Sequence, residues 1–542
     1  MAVITKFSNK QVLVIEDLAG MRTQLQMSLS NFDFKKLHVV SSIKDAIRLV
    51  RSTHYDIILC DYNLGDRTNG QQFLEHLRTR DMISRNVLFI MITGESQYEK
   101  VVVASECAPD DYLLKPFTTE QFHTRLEALM ERQEHFAVID KASDAKDWSK
   151  ALAECDRILA DKDKYFLYAS KIKGVMLLKL ERGQEAAEHY HHLLAMRPLP
   201  WARLGLARAL VLLGKQNEAK MLLREILEES PQYMAAYDFL GNLLLLEGSK
   251  KEALDVLQQA REISPGTMNR IRNISTLAVE IGRHDIAEEV MEDALRKHKY
   301  SPVREAADYA VLSKALIEQE RPERALQVLD EARDSFKDKS SSAILAAGEC
   351  LAHYKTGNLE LAEAALAKAI AANGGGLSPQ VAASVAEACL VLGREGEANE
   401  LLKQMVQNNP EDARVHDRVK TVLAAAGKSA AEADAMVNSS MQEVVQVNNE
   451  GVRKAEAGQL NEAVSLLCEA ADRLPNNMQI VSNAALALAL DLARNGYDAQ
   501  KASNCMRYRQ AIIRKSPGYP KLAQINDMLK KIKKPDAGAR QA

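Results

Sequence analysis

Three carboxylates, a hydroxyl and an ammonium stand at the ends of apolar runs in the first 120 residues. Asp56-Ile57-Ile58-Leu59-Cys60-Asp61 ends on Asp61, and Val12-Leu13-Val14-Ile15 delivers Glu16-Asp17. Val87-Leu88-Phe89-Ile90-Met91 leads to Thr93, and Tyr112-Leu113-Leu114 delivers Lys115-Pro116. Clustered carboxylates repel one another unless a hard cation lies among them, and Mg²⁺ prefers oxygen ligands while keeping several waters. A divalent cation and an ammonium together neutralise the oxygens of a moving phosphoryl group. The chemistry this set is suited to is therefore phosphoryl transfer.

The elements that must position these residues follow from the same runs. Strand and helix patterns alternate five times: Gln11–Ile15 with Met21–Ser30, Leu37–Val40 with Ile43–Arg51, Asp56–Cys60 with Gln71–Arg80, Val87–Met91 with Tyr98–Ser105, and Asp111–Leu113 with Glu120–Met130. Short, continuously apolar strands are those buried on both faces, and regular alternation with short connections gives a doubly wound parallel sheet with helices on both sides. Chemistry in such sheets gathers at the carboxyl ends of the strands. Thr118-Thr119-Glu120-Gln121 has capping-box spacing at the start of the last helix. Lys115-Pro116 is a candidate cis peptide, an isomer that only X-Pro bonds make accessible at low cost.

Glu16-Asp17, Asp61, Thr93, Tyr112 and Lys115-Pro116 together resemble the CheY-like receiver domain of bacterial response regulators, a flavodoxin-like fold. The resemblance implies that Asp61 accepts a phosphoryl group from a histidine kinase or histidine phosphotransfer protein. It implies Mg²⁺ bound by Asp17 directly, by Glu16 largely through water, by Asp61 and by the backbone carbonyl of Asn63. Thr93 and Lys115 would then contact the phosphoryl group, and Tyr112 would be an aromatic switch. Two departures stand out: the first acidic residue is Glu rather than Asp, and Gly65 replaces the proline common after the acceptor.

Beyond residue 130 the strand signal stops, and alanine and leucine recur at helical spacing. Gly214, Ala219 and Pro231 return as Gly248, Ala253 and Pro265, each displaced by 34 residues, and Gly282 with Ala287 continues the frame. Gly393, Ala398, Pro410 and Gly458, Ala463, Pro475 repeat the internal spacing, and Gly357 with Ala362 is a partial copy. A 34-residue period of paired helices resembles the tetratricopeptide repeat. Weaker units lie around Trp148–Ala151, Gly183–Ala187, Tyr309–Ala325 and Ala413–Gly427. The expected organisation is a receiver at 1–130 and an all-α solenoid at 131–534. Joints are expected near 373–376 and 427–449, with a flexible tail at 535–542. No Gly or Pro interrupts Thr119 to Ala142, so the fifth receiver helix is expected to run unbroken into the first repeat.

In such arrays the first helix of each unit faces the groove. Offsets from the unit at Tyr237 point Leu204, Arg208, Asp238, Asn242 and Arg272 inward; Arg208, Asn242 and Arg272 would lie in one trough as donors for a carboxylate or peptide backbone, with Leu204 as apolar contact beside them. His189 and His192 share a helical face without a third ligand, which suits an exposed histidine cluster better than a metal site. Lys501–Lys534 carries ten basic residues against Asp527 alone, a local field on a chain with 71 basic and 74 acidic residues.

That balance argues against a general nucleic-acid or membrane surface. Seven scattered cysteines without a C-x-x-C pair suit reduced thiols in the cytoplasm, and no run is long enough to span a bilayer. The reading that follows is a non-enzymatic response regulator. Phosphorylation at Asp61 would control a protein-binding solenoid that acts as scaffold or inhibitor of another signalling protein, with a homodimer left open. Two alternatives remain: a nucleic-acid-binding regulator acting through the basic segment, and a receiver that drains phosphate from a relay.

Overall fold

The computed structural model describes residues 7–530 apart from 31, 33, 66–68, 81, 85, 95–108, 162–163, 266, 300, 373–377 and 517–518. The expected helix Tyr98–Ser105, the joint at 373–376 and the tail at 535–542 lie outside the described residues.

Five parallel strands, β1 (Gln11–Ile15), β2 (Lys36–Val40), β3 (Ile57–Asp61), β4 (Leu88–Gly94) and β5 (Asp111–Lys115), form one sheet in the order β2-β1-β3-β4-β5. Alternate side chains of each strand enter opposite layers, as a two-residue period requires. Val12, Val14, Ile57, Leu59, Ile90 and Ile92 pack with α1 (Ala19–Ser30) and α4 (Thr119–Asp144). Leu13, Ile15, Ile58, Cys60, Phe89 and Met91 pack with α2 (Ile43–Ser52) and α3 (Gly70–Thr79). Every residue of β3 is buried, so Asp61 is carried to the sheet edge by the most enclosed strand.

Helix α4 opens with the Thr118/Gln121 capping box and continues unbroken to Asp144. Its first half buries Phe122, Leu126 and Leu129 against the sheet; its second half buries Phe136 and Ile139 and pairs with the helix Trp148–Ala160. The last element of the receiver is thus also the first helix of the solenoid.

The remaining described residues are helical hairpins. Gly214, Gly248, Gly282, Gly357, Gly393, Gly427 and Gly458 all have φ between 74° and 83° and close the first helix of their units. In that left-handed conformation a β-carbon is disfavoured, which is why glycine marks the repeat. Lys146, Glu181 and Glu320 hold the same kind of position at φ 55°, 57° and 59°. Close approach of paired helices is visible where a β-carbon on Gly241 would lie 2.9 Å from Leu257, and one on Gly451 2.5 Å from Leu467.

The stretch 427–449 corrects the expectation of a joint: Ala430–Glu456 is one 27-residue helix with a Ser429/Glu432 capping box. It packs against Ala413–Ala425 and then against Leu460–Arg473, serving two successive hairpins.

The chain divides into two compact units, Met1–Ile281 with Glu289–Arg304, and Gly282–Glu288 with Glu305–Ala542. The receiver and the first repeats therefore share one unit. In the other, the closing helices Met478–Asn495, Ala499–Lys515 and Lys521–Lys530 bury Ile480, Leu488, Tyr508, Ile512 and Ile525 together. Among the described residues no helix is long and apolar enough to cross a membrane. The described cysteines are free thiols.

Candidate functional site

Strand register brings the chemistry to one edge. Ile15 pairs with Cys60, Asp61 with Ile92 and Gly94 with Lys115, so Glu16, Asp61, Thr93 and Lys115 all emerge at the carboxyl ends. Carboxylate oxygens of Glu16, Asp17 and Asp61 lie within 4.8 Å of one another. Lys115 Nζ is 2.9 Å from Glu16 Oε2 and 3.0 Å from Asp61 Oδ2. The Lys115-Pro116 peptide is cis. Thr93 is buried beside them at 1 % exposure. Tyr112 is half-buried and packs against the cluster that includes Phe73, Phe89 and Met91.

Burial raises the pKa of Asp61 and of Glu16, while the hydrogen bonds from Lys115 pull both down. The charge of Asp17 pushes Asp61 up further, and the Asn63 N–H donates to Asp61 and opposes that. Burial alone would depress Lys115, but its bonds to Glu16 and Asp61 outweigh this and raise it. Three carboxylates against one ammonium leave two negative charges concentrated on hard oxygens. That donor set fits a divalent cation such as Mg²⁺, which prefers oxygen ligands.

The surrounding backbone holds the acids in place. Arg22 Nη1 donates to the Glu16 carbonyl at 3.0 Å and to the Asp17 carbonyl at 2.6 Å. Nothing in the sequence motif singled out Arg22; its place in the first turns of α1, five residues after Asp17, was the available signal. Gly65 has φ +76°, and a β-carbon there would meet Asp17 Oδ2 at 3.4 Å. The departure from proline thus marks a left-handed residue in the acidic loop. Helix α3 starts on Gly70, whose N–H donates to the Tyr62 carbonyl at 2.8 Å.

The solenoid residues are dispersed by comparison. Arg208 is exposed and lies over the Phe239 ring, 5.5 Å from its centroid, and Asn242 is exposed. Leu204 corrects the expectation of a groove contact: it is 4 % exposed and belongs to the core. Asp238 receives two bonds of 3.1 Å from Arg270, which also donates to the Ser264 carbonyl at 3.0 Å. Burial pushes Asp238 up to about 6 and Arg270 down to about 10, so both stay charged at neutral pH. Arg272 donates to the Val303 carbonyl. His189 contacts the Ser170 carbonyl at 2.8 Å, a structural role.

Comparison with known proteins agrees with this division. Residues 12–127 match the family model described as the response regulator receiver domain. Segments 204–266, 273–343, 310–376 and 348–413 match that of the tetratricopeptide repeat. The chain is a response regulator receiver domain joined to tetratricopeptide repeats. It is 30% identical over 129 residues to the phosphate regulon transcriptional regulatory protein PhoB of Escherichia coli, covering 24% of this chain and 55% of that protein. The chain thus spans about half the length of that relative. The chemotaxis protein CheY-3 of Vibrio cholerae is 23% identical over 124 residues, which is 23% of this chain and 94% of CheY-3. Among solved structures, a Francisella response regulator receiver domain is similar at 24% identity and TM-score 0.21, over 23% of this chain and 98% of that one. A tetratricopeptide repeat protein from Parabacteroides merdae is similar at 14% identity and TM-score 0.31, over 49% and 98%.

Proposed function

We propose that the chain is a two-component response regulator in which phosphorylation of Asp61 controls protein binding by the solenoid. The observation that carries this reading is the placement of Asp61 at the end of buried β3, 3.0 Å from Lys115 and within the Glu16/Asp17 cluster. An Asp61 carboxylate oxygen attacks the phosphorus of a phosphohistidine donor; an O–P bond forms, the N–P bond breaks, and the imidazole leaves with its electron pair. Mg²⁺ held by Asp17, Asp61, the Asn63 carbonyl and, through water, Glu16 would supply positive charge to the phosphoryl oxygens. Lys115, already against Asp61, turns its ammonium to the incoming oxygens, and the Thr93 hydroxyl donates to them. Tyr112, packed against residues of α3, follows the change.

The donor is a histidine kinase or histidine phosphotransfer protein, the site of action is the cytoplasm, and the output is capture of a signalling protein rather than a second catalytic step. The nucleic-acid alternative is weakened by the basic carboxyl segment, several of whose charges have partners within the fold. Arg507 meets Asp472 at 2.8 Å, Lys501 meets Asp491 at 2.7 Å and Arg509 meets Asn526 at 2.6 Å.

Incubation with acetyl phosphate and Mg²⁺ should add one phosphoryl group by intact-mass spectrometry, and Asp61→Asn should abolish it. Undiminished labelling of Asp61→Asn refutes the assignment.

A further inference from the structure

A continuous run of backbone and side-chain pairings leads from the acidic site to the first repeats, inside one compact unit. Asn63, the carbonyl ligand of the proposed phosphotransfer site, faces Asn69 in an isolated antiparallel bridge. Beside it the Gly70 N–H donates to the Tyr62 carbonyl at 2.8 Å. Asn69 is the N-cap of α3, and its box with Gln72 is reciprocal. The Gln72 N–H donates to Asn69 Oδ1 at 2.8 Å, and the Asn69 N–H donates to Gln72 Oε1 at 3.2 Å. Gln72 then reaches out of the receiver, its Nε2 lying 2.8 Å from Nδ1 of His298.

The chemistry of the amide fixes the sense of each bond. Because Oε1 of Gln72 accepts from Asn69, its NH₂ group is the donor toward His298, whose Nδ1 must then carry a lone pair. His298 is 2 % exposed; its N–H donates to the Ala294 carbonyl and its carbonyl accepts from the Ser301 N–H, both at 2.8 Å. The acceptor is thus held in place, and breaking the bond would strand a desolvated nitrogen. The donor end has as little slack, since a β-carbon on Gly70 would lie 2.5 Å from the Asp61 carbonyl oxygen. Gln121 closes the same kind of box on α4, yet among the described residues its side chain bonds only to Thr118. The outward bond of Gln72 is therefore more than a by-product of capping.

We infer that the first turn of α3 is the face by which the receiver acts on the solenoid, that Gln72 clasps the buried His298, and that loading the acidic site tightens this clasp. A cation drawing on Asp61 and on the Asn63 carbonyl needs that carbonyl fixed in place. The bond to His298 fixes it from the far side, through Gln72 and Asn69. Coupling between two sites is reciprocal, so a clasp that favours the cation is itself favoured by the cation. The inference rests on the proposed function for its stimulus and deepens it by naming the face that carries the output.

The test uses the full chain with Mg²⁺ as the probe. His298→Leu should weaken Mg²⁺ binding, measured by titration calorimetry, by about fivefold or more, the lower end of coupling between sites. With Gln72 already replaced by Leu, the same His298→Leu change should have no further effect, because the two residues act as one link. His298→Asn, which restores a neutral acceptor, should recover most of the lost affinity. Hydrogen exchange is the second readout. Mg²⁺ should slow exchange across residues 294–304 of the wild-type chain and leave it unaltered in Gln72→Leu, with β1, β3 and β4 equally protected in both as the sign that the receiver stays folded. Wild-type affinity in His298→Leu, additive effects in the double variant, or a Mg²⁺ response at 294–304 that survives Gln72→Leu overturns the inference. A wild-type chain that binds no Mg²⁺ refutes the proposed function and the clasp with it, whereas Mg²⁺ binding indifferent to His298 refutes the clasp alone.

Discussion

Replacing Gly70 by alanine tests whether α3 is fixed to the acceptor strand. A β-carbon at that position would lie 2.5 Å from the Asp61 carbonyl oxygen, 2.7 Å from Met91 Sδ and 3.1 Å from Cys60 Sγ. The methionine sulfur is the end of a flexible side chain and can retreat. The Asp61 carbonyl cannot, because it is part of the fully buried central strand. Alanine favours helix over glycine by up to about 1 kcal/mol, less in the first turn, whereas overpacking of this kind costs about 1–3 kcal/mol. The clash wins, with a net loss of about 1–2 kcal/mol. Native-state hydrogen exchange of the β3 amides should accelerate by about 5- to 30-fold. The labelling rate of Asp61 by acetyl phosphate should fall as its carbonyl is displaced. A Gly70→Ala chain with β3 protection equal to or above wild type would show that α3 is not seated on the acceptor strand as described.

The raised pKa values of Asp61 and Glu16 mean that, free of cation, these acids favour the fold most below the ordinary carboxylate range and lose that contribution as pH rises through their folded values. Mg²⁺ needs them ionised, so the melting-temperature gap between Mg²⁺ and a chelator should widen as pH rises through that window; a flat or narrowing gap contradicts the site. Lys115→Ala removes a cation that competes for the same oxygens, so Mg²⁺ affinity measured by titration should hold or improve while phosphorylation no longer alters partner capture; a full response without Lys115 ends its assigned role. Glu181→Gly and Glu320→Gly relieve left-handed backbone at φ 57° and 59° and should stabilise by roughly 0.5 kcal/mol, whereas Gly357→Ala at φ 78° should destabilise by about 1 kcal/mol. Thermal melts with the same sign for both kinds of change would contradict the assignment of these turns.

The receiver was legible because its chemistry is local to strand ends: once β1, β3, β4 and β5 are recognised as buried runs, Glu16, Asp61, Thr93 and Lys115 must come out on one edge. The repeat was legible wherever glycine closes the first helix and faint where Lys146, Glu181 and Glu320 do, since a left-handed lysine or glutamate leaves no mark in the sequence. The interruption at 427–449 was misjudged for a related reason. Its alanines and serines read as loop, but alanine is the best helix former and Ser429 with Glu432 caps the helix that results. The meeting of Gln72 with His298 could not be read at all. No period relates residues so far apart, and a lone glutamine on an amphipathic helix has the pattern of any solvated face. Leu204 failed because offset arithmetic assigns a helix face but not the depth of the neighbouring helix.

Helix α4 carries a geometric condition on the whole first unit. Receiver and solenoid share one unbroken rod, so their mutual orientation is a helical phase angle. Each residue inserted between Met130 and Phe136 would rotate the sheet about that rod by about 100° and advance it by about 1.5 Å. The meeting of Gln72 on α3 with His298, 226 residues downstream, is reached only at one phase. The length of the junction is consequently as much a determinant of receiver–solenoid recognition as any charged side chain in it. An exchange of receivers between proteins of this architecture would have to conserve the helical register of the splice.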